Sequence, residues 1–274
     1  SPAASPQRRG ERSLHPVLFK IGSRVIDSYT VAWTFCLAFA LAWTRNRASR
    51  LYGMDDENVR FALFWGFLGI LVGARLGHIA VNWQDYALEP AKLLRFWEGG
   101  LSALPAILGG GLAALAALRK RELPVWPLAE SASLPAAALV AVGRWGCLAE
   151  GCCYGKVTDV PWGIHFPFDP AGVARHPTQV YESLSALFLL LVLAFLERKI
   201  GGGNRKAKQA VLWPLFLAGY GLIRLAVEPL RGEPVMGTLA ARSWSLGVFL
   251  LGAAWLAVSV FRSRKGQPAG EGIL

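Results

Sequence analysis

GRWGCLAEGCCYG (residues 143–155) closes a run of apolar residues that begins near residue 125, and it adds Arg144, Glu150 and three cysteines. An apolar run of this length is typical of a helix that crosses a lipid bilayer. A charged side chain in hydrocarbon costs about 3 kcal/mol or more, so it persists mainly where it has a partner or a function. The stretch therefore predicts a membrane fold with a site at the end of one span.

The composition agrees with a membrane protein. Of the 274 residues, 54% are hydrophobic and only 17% are charged, whereas soluble domains carry about 25% charged residues. The formal net charge is +11, but the basic residues lie in short segments between apolar runs. Because no basic face with interleaved aromatic residues accompanies them, we expect membrane lipid headgroups rather than nucleic acid as the partner.

Hydropathy divides the chain into seven candidate spans. The predicted fold class is an all-α integral membrane protein with seven transmembrane helices. We expect residues 1–13 to be disordered, residues 14–265 to form the membrane domain, and residues 266–274 to form a cytoplasmic tail. The spans are 27–44, 59–82, 101–118, 125–143, 179–196, 210–228 and 243–261.

The distribution of Lys and Arg predicts the orientation. Fifteen of them follow the first, third and fifth spans or lie in the C-terminal tail, against seven on the opposite side and five in the N-terminal segment. This bias places the N-terminus outside and the C-terminus in the cytoplasm, although the basic N-terminal arm opposes it. Residues 144–178, between helices 4 and 5, then form a folded external loop region; the alternative is an inert connector.

Charges within the spans indicate where the function lies. Arg224 and Glu228 are four residues apart and share a helical face, with Arg231 about one turn further on. The two could form a self-contained ion pair, but Arg75 and Arg144 would then remain unexplained. An excess of arginine near the outer leaflet predicts a site for a phosphate that enters from the lipid.

Cysteine and glycine patterns lead to two further expectations. Cys147, Cys152 and Cys153 with His165 do not match a zinc spacing, because adjacent cysteines rarely bind one tetrahedral ion, so we expect no metal. Whether these cysteines are disulfide-bonded or free stays open. Glycines at intervals of four allow close helix packing; they are Gly69, Gly73 and Gly77 in the second span, with Gly109, Gly110 and Gly111 in the third.

Five motifs occur in an order that resembles one protein family: GARLGH, WEGGLSA, GRWGCLAEGCCYGKVTDVPWGIHFP, RHPTQVYE and the R…E..R of the sixth span. Together they resemble the prolipoprotein diacylglyceryl transferases of the bacterial inner membrane over roughly residues 14–262. The resemblance implies transfer of the diacylglyceryl group from phosphatidylglycerol to the lipobox cysteine of prolipoprotein signal peptides. It implies no cofactor, and a seven-span topology like that predicted above.

The resemblance also assigns site residues. Arg144 and Arg224 are expected to clamp the phosphate, Glu228 to orient Arg224, and His176 is our candidate base, which completes the predicted catalytic set. Residues expected to bind substrate are Tyr29, Arg75, Gly100, Ser102, Gly155 and Arg231.

Three departures from the family pattern leave two functions open. Leu104 stands where the family has a histidine, Cys147 where it has an asparagine, and Cys152 where it has a glutamate. In an active transferase, the acceptor thiol would lose its proton to His176, to Glu150, or through the field of the arginines. The alternative is a catalytically inactive or repurposed paralogue that binds anionic phospholipid.

Overall fold

The computed structural model describes residues 17–21, 24–89, 91, 103–200, 211–232 and 238–264. Long helices occupy all seven segments predicted as spans. In chain order the helices are α1 (Ser28–Tyr52), α2 (Asp56–Val81), the short α3 (Trp83–Leu88), α4 (Ala103–Lys120), α5 (Trp126–Glu150), α6 (Thr178–Ile200), α7 (Leu212–Val227) and α8 (Thr238–Arg264). A 3₁₀ turn, Glu228–Leu230, continues α7.

Four of these helices are long and apolar enough to cross a membrane, judged by length and composition within the described residues: α2, α5, α6 and α8. On α6, apolar side chains face outward and a charged one is buried, as in a membrane protein. Phe188 and Leu191 on α6 are 69% and 60% exposed, while Glu182 on the same helix is fully buried. Apolar surface of this kind is stable against lipid, and a soluble protein would bury it. The chain is therefore a helical membrane protein.

A small β-hairpin precedes the first helix, so the all-α prediction is incomplete. Strand β1 (Val17–Ile21) pairs antiparallel with β2 (Arg24–Asp27). The two strands contain β-branched residues and flank the pair Gly22-Ser23, which is a hairpin pattern that hydropathy analysis does not detect. The segments predicted to be a disordered N-terminus and a cytoplasmic tail, 1–13 and 266–274, lie outside the described residues.

The described residues form two compact units, of which the first lies within Arg45–Leu128. Within it, α2 begins at an N-cap in which the Asp55 carboxylate accepts the Asn58 N–H. The expected glycine ridge packs α2 against α4. A Cβ on Gly69 would lie 2.3 Å from the Gly109 carbonyl oxygen, and one on Gly73 would lie 2.3 Å from that of Pro105. The structural interpretation of these glycines is confirmed, except that Gly111 has no such neighbour within 4 Å.

The second unit contains the described residues within 17–44 and 129–264. Its core lies between α5, α6 and α7, and α8 packs against α7. Glu130 on α5 is almost fully buried, and its carboxylate accepts the N–H groups of Leu212 (3.0 Å) and Trp213 (2.9 Å). It thereby caps the N-terminus of α7. The core residues are Leu134, Ala137, Leu189, Leu193, Leu212 and Phe216.

Candidate functional site

Glu182, one turn into α6, is the centre of a buried charged cluster. Its Oε1 accepts hydrogen bonds from Arg224 Nη1 at 2.6 Å and from Arg231 Nη1 at 3.0 Å. Arg144 on α5 forms an ion pair with the other carboxylate oxygen. Arginines from three elements, namely α5, α7 and the segment after the 3₁₀ turn, therefore meet at one carboxylate.

Glu228 provides the second acid of this group. Its Oε2 accepts a hydrogen bond from Arg224 Nη2 at 2.8 Å and lies 4.0 Å from Arg231 Nε. Arg224 thus bridges two carboxylates, so the alternative in which Arg224 and Glu228 form a self-contained pair is wrong. We call Arg144, Arg224, Arg231, Glu182 and Glu228 the arginine cluster.

The arginine cluster keeps positive charge available to a ligand. Its three guanidinium groups and two carboxylates sum to one positive charge. The arginine side chains are 14–17% exposed, whereas those of the two glutamates are 0–1% exposed. The carboxylates are therefore enclosed, and the accessible part of the arginine cluster consists of guanidinium groups, which are suited to binding a phosphate.

The segment between α5 and α6 is folded against the end of α7 by backbone hydrogen bonds. The Gly155 N–H donates to the His176 carbonyl (2.9 Å), and the Lys156 N–H donates to the Leu230 carbonyl (2.8 Å). A Cβ on Gly155 would lie 2.5 Å from His176 Cβ and 2.7 Å from the Leu230 oxygen, so no side chain fits. This contact fixes the backbone next to Arg231.

A second set of contacts orders the middle of that segment. Arg175 forms two hydrogen bonds with the Asp169 carboxylate, at 2.7 and 2.6 Å, and its guanidinium lies 4.8 Å from the centre of the Tyr154 ring. The hydrogen bonds to Asp169 raise the pKa of Arg175. These contacts stabilise the loop on which Gly155 and His176 lie.

Comparison with known proteins decides the family. The family model described as prolipoprotein diacylglyceryl transferase matches residues 16–258. The chain belongs to this family. A phosphatidylglycerol–prolipoprotein diacylglyceryl transferase of Synechococcus elongatus is 33% identical over 88% of the chain and 87% of its own length. One of Geobacter sulfurreducens is 33% identical over 92% of the chain and 98% of its own length.

Of the residues that the family resemblance singled out, Arg144, Arg224, Glu228 and Arg231 come together in the arginine cluster. Tyr29 begins α1, with its ring 6.2 Å from that of Trp33. Trp33 in turn fills the space beside Gly143, the residue before Arg144, where a Cβ would meet the indole at 2.7 Å. Tyr29 therefore lies on the helix that packs against α5 at Gly143, next to Arg144.

The remaining residues predicted to bind substrate are Arg75, Gly100 and Ser102. Arg75 is buried in the first unit with its guanidinium 5.2 Å from the centre of the Tyr86 ring. Gly100 and Ser102 lie outside the described residues. Leu104, at the position of the family histidine, is in the first turn of α4. The roles of these residues in substrate binding stay predictions.

His176, the candidate base, has its ring against Tyr181. Its Nδ1 lies 3.3 Å from the Tyr181 hydroxyl, which also accepts the Trp162 N–H at 2.7 Å. In the part of the chain that the structure describes, the ring forms no hydrogen bond with the arginine cluster. A role as base stays a prediction.

Sequence analysis missed Glu182. It lies within the predicted fifth span, in the motif RHPTQVYE, and a charged residue within a span is the same signal that drew attention to Arg75 and Arg224. It lies near the start of the helix, where polar residues are common. Its full burial and its three arginine partners make it the acid that joins the site.

The cysteines of the signature form a compact group, which we call the thiol cluster. Cys147, Cys152 and Cys153 are free, and their sulfurs all lie within 4.8 Å of one another. Hydrogen bonds from Cys147 and Cys152 hold the pKa of the Cys153 thiol well below its usual range, and Arg144 and Arg231 act in the same direction. The thiol cluster is therefore in electrostatic contact with the arginine cluster.

Proposed function

We propose that this protein transfers the diacylglyceryl group of phosphatidylglycerol to the lipobox cysteine of prolipoproteins. Family membership supports this reaction class. The observation in this chain that carries the proposal is the arginine cluster, in which Arg144, Arg224 and Arg231 surround Glu182 and, with Glu228 counted, leave one positive charge. The arginine cluster combines a net positive charge with guanidinium groups that are held in fixed positions.

The reaction requires stabilisation of charge that develops on a phosphate. The cysteine sulfur attacks the glyceryl carbon of phosphatidylglycerol, a carbon–sulfur bond forms, and the carbon–oxygen bond to phosphate breaks. Glycerol-1-phosphate leaves, and the thiol proton passes to a base or to solvent. Because the phosphate gains negative charge as the carbon–oxygen bond breaks, guanidinium groups bind the transition state more strongly than the ground state.

The arginine cluster meets this requirement through preorganisation. Arg144 and Arg224 are the proposed phosphate clamp, and Arg231 adds a third cation. Glu228 and Glu182 orient the guanidinium planes, since each holds Arg224 through a different nitrogen. Fixed donors need no reorganisation during the reaction, which is the source of electrostatic catalysis.

The field of the same arginines is the proposed means of forming the thiolate. A neighbouring cation lowers a thiol pKa from its free value of about 8.5. One observation favours this route over His176 as base: the His176 ring contacts Tyr181. Leu104 replaces the family histidine with a group that cannot take a proton, and Glu150 stays an alternative base.

The proposed membrane arrangement is seven spans in the bacterial inner membrane, with the N-terminus external and the C-terminus cytoplasmic. The seven long helices and the excess of Lys and Arg on one side support it. The segment between α5 and α6 would then be external and would carry the site to the level of the outer headgroups. Phosphatidylglycerol and lipobox signal peptides are the proposed partners, with no cofactor.

The proposal is tested with purified protein, phosphatidylglycerol vesicles and a lipobox peptide. We expect glycerol-1-phosphate release and a gain in peptide mass equal to the diacylglyceryl group, and we expect Arg144→Ala to lose both. Arg198→Ala, at the other end of α6 from Glu182, is the matched control. Binding of phosphatidylglycerol without release by the unaltered protein would refute the transferase and favour the lipid-binding paralogue.

A further inference from the structure

We propose that Cys147, Cys152 and Cys153 form a binding site for one soft, thiophilic cation, Cu(I) by preference, held by three sulfur atoms. The site lies beside the arginine cluster but has its own donors. The proposal does not depend on the transferase reaction, because it concerns a second ligand of different chemistry.

The distances suit a three-coordinate ion. With a metal–sulfur distance of about 2.3 Å, three sulfurs in a plane around one cation lie about 4 Å apart. The three Sγ atoms already lie within 4.8 Å of one another. Small side-chain movements would therefore close the site, without a change in the fold of the turn.

The turn that carries the cysteines is held from several sides. The Cys152 N–H donates to the Cys147 carbonyl at 3.0 Å, and left-handed backbone at Gly151 (φ 68°) and Cys153 (φ 62°) folds the chain back onto the helix end. From α6, the Thr178 hydroxyl and the Gln179 amide donate to the Cys153 and Cys152 carbonyls, each at 2.7 Å. The sulfurs are thus brought together before any ion binds.

Donor type and charge select the class of cation. Three thiolates with no carboxylate or imidazole in the group favour a soft ion such as Cu(I). Bound as thiolates to a monovalent cation they would carry two negative charges. The guanidinium of Arg144, three residues before Cys147 on the same side of α5, offsets part of that charge. From the sequence, no metal is expected, because the spacing does not match a tetrahedral zinc site. A planar three-sulfur site differs from that case, since it needs no fourth ligand such as His165, whose Nδ1 lies 2.8 Å from the Val173 carbonyl oxygen.

The experiment uses full-length, reduced protein in detergent without oxygen, titrated into Cu(I) held by bathocuproine disulfonate. We expect one equivalent of Cu(I) to transfer from the chelator, with thiolate-to-copper absorption in the near ultraviolet. X-ray absorption should show three sulfur neighbours. Cys152→Ser with Cys153→Ser should weaken binding by about 100-fold or more, since even a supporting residue of a metal site contributes about 10–100-fold.

The fourth cysteine provides the control. Cys36 lies in the middle of α1, so Cys36→Ser should bind Cu(I) as the unaltered protein does. Circular dichroism establishes that each variant remains helical, and Cys147→Ser gives a single-site check if the double variant does not fold. Unchanged affinity in a folded variant that lacks cluster cysteines, or equal loss in Cys36→Ser, would overturn the proposal.

Discussion

Replacing Glu182 by glutamine removes the charge at which three arginines meet while keeping the size of the side chain. In the structure, Arg224 and Arg231 donate to Oε1 at 2.6 and 3.0 Å, and Arg144 pairs with the other oxygen. The variant leaves three guanidinium groups, at most 17% exposed, with only Glu228 as a carboxylate partner. We expect repulsion among the arginines and loss of the geometry that holds them.

The magnitude follows from the burial. Removing one partner of a buried ion pair costs about 3–5 kcal/mol. At about 2–4 °C per kcal/mol for a domain of this size, the unfolding temperature should fall by at least about 6 °C. Misplaced arginines should also lower the kcat of transfer more than they raise KM, since positioning affects the transition state most.

The assay combines thermal unfolding in detergent with the rate of glycerol-1-phosphate release. Glu122→Gln removes the same charge from an exposed position just after α4 and should leave both quantities nearly unchanged. A Glu182→Gln protein that unfolds at the temperature of the unaltered protein and transfers at its rate would refute the central role of this carboxylate.

Three further substitutions test other contacts. Gly155→Ala should lower the rate of glycerol-1-phosphate release by an order of magnitude or more, because a Cβ has no space beside His176 and would displace the backbone next to Arg231. Gly247→Ala is the control: a Cβ there would have no neighbouring atom within 4 Å, so the release rate should not change. Glu130→Ala removes the cap of α7 and should lower the free energy of unfolding by about 1 kcal/mol or more. The protein should then unfold at a lower temperature, and an unchanged unfolding temperature would contradict the capping role. His176→Phe should keep most of the transfer rate and leave the acid limb of the pH–rate profile unchanged. Loss of that limb, together with a fall of about 100-fold in the transfer rate, would identify His176 as the base.

The membrane helices were predictable because the bilayer imposes length and apolarity on each span separately. Each predicted segment coincides with a helix, and within the described residues four of these helices are long and apolar enough to cross a membrane. The glycine ridge of α2 was interpreted correctly from its spacing of four. The hairpin before α1 was missed because its signal is local turn chemistry rather than hydropathy.

The site was only partly predictable, because its partners are distant in the sequence. The spacing of Arg224 and Glu228 was visible on one helix, but Glu182 is 42 residues from Arg224 in the chain and joins it only through the packing of α6 on α7. The thiol cluster required the left-handed turn at Gly151 and Cys153, which spacing alone does not reveal. Gly155 was assigned from the family motif, and the structure adds the steric reason for it.

The most direct test of the account is a double-mutant cycle on kcat/KM for phosphatidylglycerol with Arg144→Ala, Arg224→Ala and the pair together. Each single change should lower kcat/KM by about 10²–10³-fold, as removal of one oxyanion donor does. Because both guanidinium groups are proposed to bind one phosphate, kcat/KM of the double variant should be little lower than that of the more impaired single variant. Losses that multiply, or a single variant that keeps the rate of the unaltered protein, would contradict a shared phosphate clamp.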